Sequence, residues 1–365
     1  MANISNSFRF TGEYKSVKEG LREINSKNNP KWSGRELTFS IKNSTGSQQV
    51  RLFGGKTEGK GIITFSKDKD EKGKSVKLEI PFSKRLDKAV IDSVANFKKF
   101  KILDEEFITE LDVIDYLEEN LLDLEGKRVT VTGNVEFDVY KGKIYQKYYV
   151  SNIFEARDEV KDGFKGNLAV FLTPNTISED YLKGKSVNFK LIENDGKLPL
   201  NVYIEQYNKD KSTREEKPYL YIPITTFINI GDKFDFENVE HMKKLKFRVG
   251  LMAVKKGIHE IGMSVTFFRG QEETEITEDD LTNFEKSQIE AGVKTFDEIV
   301  KGKQGYGNFK EEIQLLTPHS AYVDGLVETE LIDENLEDIS YEEDEVETKP
   351  EAVVEELDED DDLFS

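Results

Sequence analysis

Apolar residues recur at every second position along much of the first 270 residues, and this period of two restricts the chain to half-buried strands. Leu37, Phe39 and Ile41 mark one strand, Val50 and Leu52 a second, and Val76, Leu78, Ile80 and Phe82 a third. The period then changes to three and four. Phe107, Leu111, Ile114, Leu117, Leu121 and Leu124, followed by Gly126 as a stop signal, predict one amphipathic helix. Strands resume at Val129 and Val131 and run to about Val139. Tyr140-Lys141-Gly142-Lys143 then turns the chain back into a strand from Ile144 to Phe154.

Three strands, a helix and a hairpin is the element order of the OB-fold, a five-stranded Greek-key barrel. The order recurs. Strand-like runs lie at Leu168–Leu172, Val187–Ile192, Leu198–Tyr207 and Tyr219–Phe227, with a short helical stretch at Val239–Met242. Leu245–Val254 and Ile258–Phe268 read as a hairpin across Lys255-Lys256-Gly257, which resembles the earlier hairpin around Lys141-Gly142. Past Gly270 the pattern turns helical: Thr277–Asp280 caps a run through Leu281, Phe284 and Ile289, and a second short helix follows at Thr295–Val300. Gly302–Gly307 reads as a flexible joint. The fold class expected is mainly β with some α, built as tandem OB-like barrels over 1–158 and 159–270, a helical region over 271–323 and a disordered acidic tail over 324–365.

Charge divides the chain along the same lines. The formal net charge is −20, and from Asp324 onward 20 acids face one base, Lys349, so the tail carries −19 and residues 1–323 carry −1. Such a block buries too little apolar surface to offset its ordering entropy. Within the body, residues 1–101 hold 22 Lys and Arg against 11 Asp and Glu, residues 102–126 hold ten acids and no base, and residues 127–149 return to a small basic excess. An acidic helix is thus set into a basic, strand-rich region.

Several chemistries are excluded or unsupported. With no cysteine there is no disulfide and no thiolate metal site, and the three histidines (241, 259 and 319) are not at ligand spacing, so neither a cofactor nor a metal is expected. Gly54-Gly55-Lys56-Thr57 imitates a phosphate loop, but Val50 stands where the motif needs glycine. The run from Asp68 to Glu79 imitates a calcium loop, but Lys72 stands where a ligand oxygen belongs. No nucleophile, base and orienting group fall into a recognisable arrangement, so no enzyme is expected. No apolar run reaches the ~18 residues of a membrane span, and the first residues lack a secretory pattern, so a cytoplasmic protein without membrane partners is expected.

What the basic region does contain is aromatic residues interleaved with cations. Lys31, Trp32 and Arg35 precede the first marked strand; Arg51 and Phe53 close the second; Lys56, Lys60, Phe65 and Lys67 follow; Lys84 and Arg85 come after the third. The last hairpin adds Tyr140, Lys143, Tyr145, Lys147 and Tyr149. Alternation puts Phe39 and Tyr148 in the core, and places Arg51 with Phe53, and Tyr145 with Lys147 and Tyr149, on outward faces. A nucleic-acid single strand presents bare base faces along a phosphate chain, and binding it takes flat π surfaces spaced along a cationic groove. Duplex recognition favours a basic helix, whereas the clearest helix here is acidic.

The tail closes on Asp358, Glu359, Asp360, Asp361, Asp362, Leu363, Phe364 and Ser365. Barrels joined to such a tail resemble the phage-encoded single-stranded DNA-binding proteins. The resemblance implies sequence-independent coating of single strands in replication and recombination, in a bacterial host's cytoplasm, with self-association on the strand. It also implies that Asp358, Asp360, Asp361, Asp362, Leu363 and Phe364 recruit a polymerase, primase or helicase and compete for the DNA groove. The alternatives are a protein-interaction adaptor whose tail only solubilises, and an RNA-binding factor.

Overall fold

The computed structural model describes residues 6–26, 29–140, 143–177, 196–208, 218–230, 234–254, 257–271, 281–295, 299, 309–318 and 327–329. It is mainly β, with a few helices.

The chain enters on β1 (Ser7–Asn25), which buries Phe8, Phe10 and Tyr14 at period two. A register shift between Ser16 and Leu21, with Glu19 at φ 58°, breaks that period. An extra residue in one strand of a pair bends it and increases its twist, and here it lets one strand serve two neighbours. Glu13–Ser16 and Leu21–Asn25 pair with β2 (Trp32–Asn43), while Ser7–Glu13 pair with a later strand, Arg128–Asn134. β2 returns through Ser44-Thr45 into β3 (Gly46–Thr57), and the amide of Thr45 donates to Asn43 Oδ1 at 2.9 Å.

An excursion of about fifty residues follows. β4 (Ile62–Lys69) and β5 (Ser75–Ile80) form their own two-stranded sheet, succeeded by the turn Phe82–Lys84, α1 (Lys88–Ser93), the turn Asn96–Lys98, β6 (Phe100–Ile102) and β7 (Glu105–Phe107). The third strand expected at 76–82 is therefore not a barrel strand. Its alternation is real, but Val76 is exposed, Leu78 half-buried and Ile80 buried in a small separate cluster with Val94 and Ile108. The place it was expected to fill belongs to β3, because the unmarked β1 supplies the first strand.

The chain then enters α2 (Glu110–Leu124), which buries Val113, Ile114, Leu117 and Leu124 and is followed by Gly126 at φ 78°, a left-handed end that glycine takes without strain. β8 (Arg128–Tyr140) and β9 (Lys143–Glu155) form the expected hairpin. Pairing runs β1–β2–β3–β9–β8–β1, with only β3–β9 parallel, so five strands close on themselves with α2 between the third and fourth. That is the OB topology.

The same cycle recurs with β10 (Gly163–Leu172), β11 (Lys197–Tyr207), β12 (Tyr219–Asn229), β13 (Ile258–Gln271) and β14 (Phe309–Pro318). Pairing runs β10–β11–β12–β14–β13–β10, again with one parallel pair, Phe227 with Gln314 and Ile228 with Leu315. Two expectations are corrected. Leu245–Val254 is not a strand: Val239–Met252 is helical (α3), and Leu245, Val249 and Met252 are its buried positions while Phe247 is 68% exposed. The closing strand β14 lies inside the stretch expected to be helical. That stretch does contain α4 (Asn283–Glu290), capped by Thr282 and Glu285 rather than from Thr277. The strand expected at 187–192 and the joint at 302–307 fall outside the described residues, as does most of the helix expected at 295–300. Of the tail, β15 (Val327–Thr329) pairs with Ile258–Glu260, so these three residues are ordered; residues 330–365 lie outside the described residues.

The two barrels share one core. β1 pairs antiparallel with β10 from Ser7 opposite Asn167 to Thr11 opposite Gly163. Across that seam Phe10 meets Phe164 edge-on at 5.2 Å and Phe267 at 5.8 Å, and Tyr148 meets Phe267 at 5.3 Å. A Cβ at Gly166 would lie 2.2 Å from the Ser7 carbonyl and 2.6 Å from the Phe267 ring, so the approach requires glycine. Among the described residues no helix is long and apolar enough to cross a membrane.

Candidate nucleic-acid interface

The interface is built on the end of β3. Leu52 and Gly54 face inward there, so Arg51 and Phe53 face outward, as alternation predicts. Gly54 sits under the first turn of α2, where a Cβ would lie 2.7 Å from Glu110 Cβ and from the Leu111 amide nitrogen. Its neighbour Gly55 and Gly34 on β2 form a floor for Trp32: Cβ atoms at these positions would lie 2.3 and 2.5 Å from the indole. Of the two glycines that imitate a phosphate loop, Gly54 thus makes room for α2 and Gly55 seats an aromatic ring. Phe53, 42% exposed, stacks beside Trp32 with centroids 5.9 Å apart and planes 28° apart. β9 brings Tyr149 opposite Arg51 through the one residue pair joining β3 and β9.

The excursion supplies the facing wall. Between it and the barrel lies a cleft of about 600 Å³ whose lining includes Arg51, Phe53, Lys56, Lys60 and Tyr149 together with Phe82, Phe97, Lys98 and Lys99. Lys56 Nζ lies 5.3 Å from the centroid of the Phe82 ring, and Lys98 Nζ lies 5.8 Å from both Phe65 and Phe97. Such contacts hold cations against aromatic faces while leaving their charge unneutralised. Phe97 packs beside Phe65 with ring centroids 6.1 Å apart and is still 68% exposed, so much of its ring is open to solvent at the cleft.

Three acids temper the charge. Arg51 Nη1 donates to Glu36 at 3.2 Å, and the buried Lys99 donates to Glu106 at 2.9 Å. Glu110 lies in the cleft wall, where burial pushes its carboxyl above the usual range, with its own backbone amide and Lys98 pulling the other way. Five cations against one lining carboxylate leave the cleft basic.

The remaining expected residues divide. Lys31, Lys67, Lys84 and Lys143 are exposed outside the cleft lining, and Tyr145 is 44% exposed on β9. Lys147 is ion-paired to Asp138 across the β8–β9 ladder. Arg35 is tied to the acidic helix, donating to Asp115 at 2.5 Å and Glu118 at 2.6 Å. Arg85 donates to Asp112 at 2.8 Å and packs 4.2 Å over Phe82. These two arginines hold the scaffold together. Tyr140 ends β8, and its side chain lies outside the described residues, as do Asp358, Asp360, Asp361, Asp362, Leu363 and Phe364.

Sequence reading passed over Phe82, Phe97, Lys98 and Lys99. The signal was present in Asn96-Phe97-Lys98-Lys99-Phe100, which has the same interleaving of rings and bases as the residues that were singled out. Among the described residues no cluster of His, Asp and Glu could hold a metal ion.

No family model matches the sequence, and no curated protein is significantly similar to it. Among solved structures, a deletion mutant of the single-stranded DNA binding protein from Thermus aquaticus aligns over 87% of this chain and 95% of its own, at 6% identity and a TM-score of 0.31, a likeness too distant to bear on what this chain does.

Proposed function

We propose that the chain binds single-stranded DNA, without reading its sequence and without catalysing a reaction, in the cleft between the first barrel and the excursion. The observation that carries this reading is the lining itself: Phe53, Phe82, Phe97 and Tyr149 set among Arg51, Lys56, Lys60 and Lys98. Stacking on such rings contributes about 1–3 kcal/mol per base and needs bases whose faces are free, which a duplex does not offer. If Arg51, Lys56, Lys60 and Lys98 each meet one phosphate, the logarithm of the binding constant falls with the logarithm of salt with a slope of about −3. In the cell this activity coats single strands in phage DNA replication and recombination in the bacterial cytoplasm. The acidic segment recruits a polymerase, primase or helicase, and copies associate along the strand.

The test is a titration with oligo-dT, with oligo-U of equal length and with duplex DNA, read by Trp32 fluorescence and by anisotropy at low and moderate salt. Trp32 is the only tryptophan and stacks beside Phe53 at the cleft, so single-strand binding quenches it. Salt-sensitive binding of oligo-dT but not duplex supports the reading, and tighter binding of oligo-U moves the assignment to RNA. No binding of any of the three leaves a protein-interaction adaptor and overturns the proposal.

A further inference from the structure

Helix α3 turns a second kind of surface to solvent. It packs Leu245, Val249 and Met252 against the second barrel. The opposite face carries Val239, Lys243, Lys246, Phe247 and Gly250 at helical spacing, with Lys244 at its flank. Val239 is 66% and Phe247 68% exposed, and a Cβ at Gly250 would meet nothing within 4 Å. Arg248 donates to the Leu316 carbonyl at 3.4 Å, which places the half-exposed Leu316 of β14 beside the helix. The helix itself holds one acid, Glu240, paired with Lys243 at 2.8 Å, against four bases. A phenylalanine and a valine held in water among lysines suit a ligand that is acidic and ends in apolar residues.

The chain contains one such segment. Asp358, Glu359, Asp360, Asp361 and Asp362 precede Leu363 and Phe364. Its origin lies close by, because Thr329 pairs with Ile258, and Ile258 follows the end of α3 by a few residues. The 29 residues from Glu330 to Asp358 reach up to about 100 Å when extended, whereas α3 is only about 21 Å long. We infer that Asp358–Phe364 docks on the exposed face of α3 in its own chain, its carboxylates against Lys243, Lys244 and Lys246 and its Leu363-Phe364 pair against Phe247 and Val239. This contact lies on the second barrel and holds whatever ligand the cleft takes.

Carbodiimide cross-linking of the full chain, followed by peptide mass spectrometry, tests it. Amide links from residues 358–362 to Lys243, Lys244 or Lys246 are expected in the monomer band, weakened by salt and retained when oligo-dT is added. Phe247→Ala, which alters an exposed side chain, is expected to reduce them severalfold, as is the double change Leu363→Ala with Phe364→Ala. Links chiefly to the cleft residues Lys56, Lys60 and Lys98, links spread over exposed lysines generally, links confined to a dimer band, or yields unchanged by Phe247→Ala would each overturn the inference.

Discussion

Glu110 is the one acid among the cleft-lining residues, and its burial makes the cleft's charge depend on pH. A carboxyl whose native pKa lies above its unfolded value binds its proton more tightly in the folded chain. Its contribution to stability is therefore fully present below the ordinary carboxylate range and is lost as pH rises through the raised value. The same titration affects ligand binding, because a neutral Glu110 removes the one carboxylate charge from the cleft lining beside Lys56, Lys60 and Lys98. Affinity for oligo-dT is expected to rise as pH falls through the raised value. Glu110→Gln is expected to bind more tightly than the parent at neutral pH and to flatten the profile, read by anisotropy across a pH series. Arg85 illustrates a different role. Asp112 is only 4% exposed and takes hydrogen bonds from Arg85 and from Thr109. Removing the arginine leaves a buried carboxylate short of a partner, at a cost of about 1–3 kcal/mol. Arg85→Ala is thus expected to lower the denaturation midpoint in urea while the folded protein keeps most of its affinity for oligo-dT. A large loss of affinity with unchanged stability would instead make Arg85 a contact residue.

Among the elements, β9 carries the most for the site, since it places Tyr149 beside β3. β9 carries an extra residue, Ser151, opposite the step from Thr132 to Gly133 on β8, and the Tyr149 carbonyl comes within 1.9 Å of where a Gly133 Cβ would stand. No side chain fits there without moving backbone. Gly133→Ala is expected to destabilise by about 1–3 kcal/mol, as overpacking typically does, and to weaken oligo-dT binding as Tyr149 shifts. Thermal denaturation and titration of the same preparation check both effects. Legibility in the sequence also differed by element. The helix expected from Phe107 to Leu124, which begins at Glu110, and the hairpin around Lys141-Gly142 are plain, because most of the helix and the strands flanking the turn keep one period; the bulge at Ser151 comes only after Tyr148 and Val150 have set the inward face. β1 was missed although Phe8, Phe10 and Tyr14 alternate, because the bulge at Glu19 breaks the period midway. The first turn of α3 reads as helix at Val239–Met242, but Leu245–Val254 reads as a strand because Leu245, Phe247, Val249 and Leu251 also alternate, and only packing chose the spacing of Leu245, Val249 and Met252. β14 is hidden because Glu311, Glu312 and Gln314 leave only Ile313 and Leu315 as an apolar alternation; Glu312, on the other parity, is buried and held by Lys197 at 2.8 Å.

The described residues build two barrels sewn along β1 and β10, with aromatic rings packed across the seam. Phe10 is fully buried there, and Phe10→Ala is expected to cost about 3–5 kcal/mol. Because the core is continuous, that loss is expected to appear in both barrels at once. Hydrogen exchange should show amides of β2 and of β11 losing protection together, and loss confined to one barrel would mean that the seam transmits little. By itself the sequence determined part of the local picture: the strands around Leu37–Ile41, Val50–Leu52 and Val129–Val139 and the helix ending at Leu124, that Arg51 and Phe53 face outward while Phe39 and Tyr148 face inward, and that nearly all the net charge sits after residue 323. Tertiary structure alone decided which strands close each barrel, that Arg35 and Arg85 serve the scaffold, and that Phe82, Phe97 and Lys98 face Phe53 and Tyr149 across one cleft. The reason is that side-chain period is a property of neighbours in sequence. Strand partners and facing walls are set by contacts between residues tens to hundreds of positions apart, where burial and register choose among segments with equally good alternation.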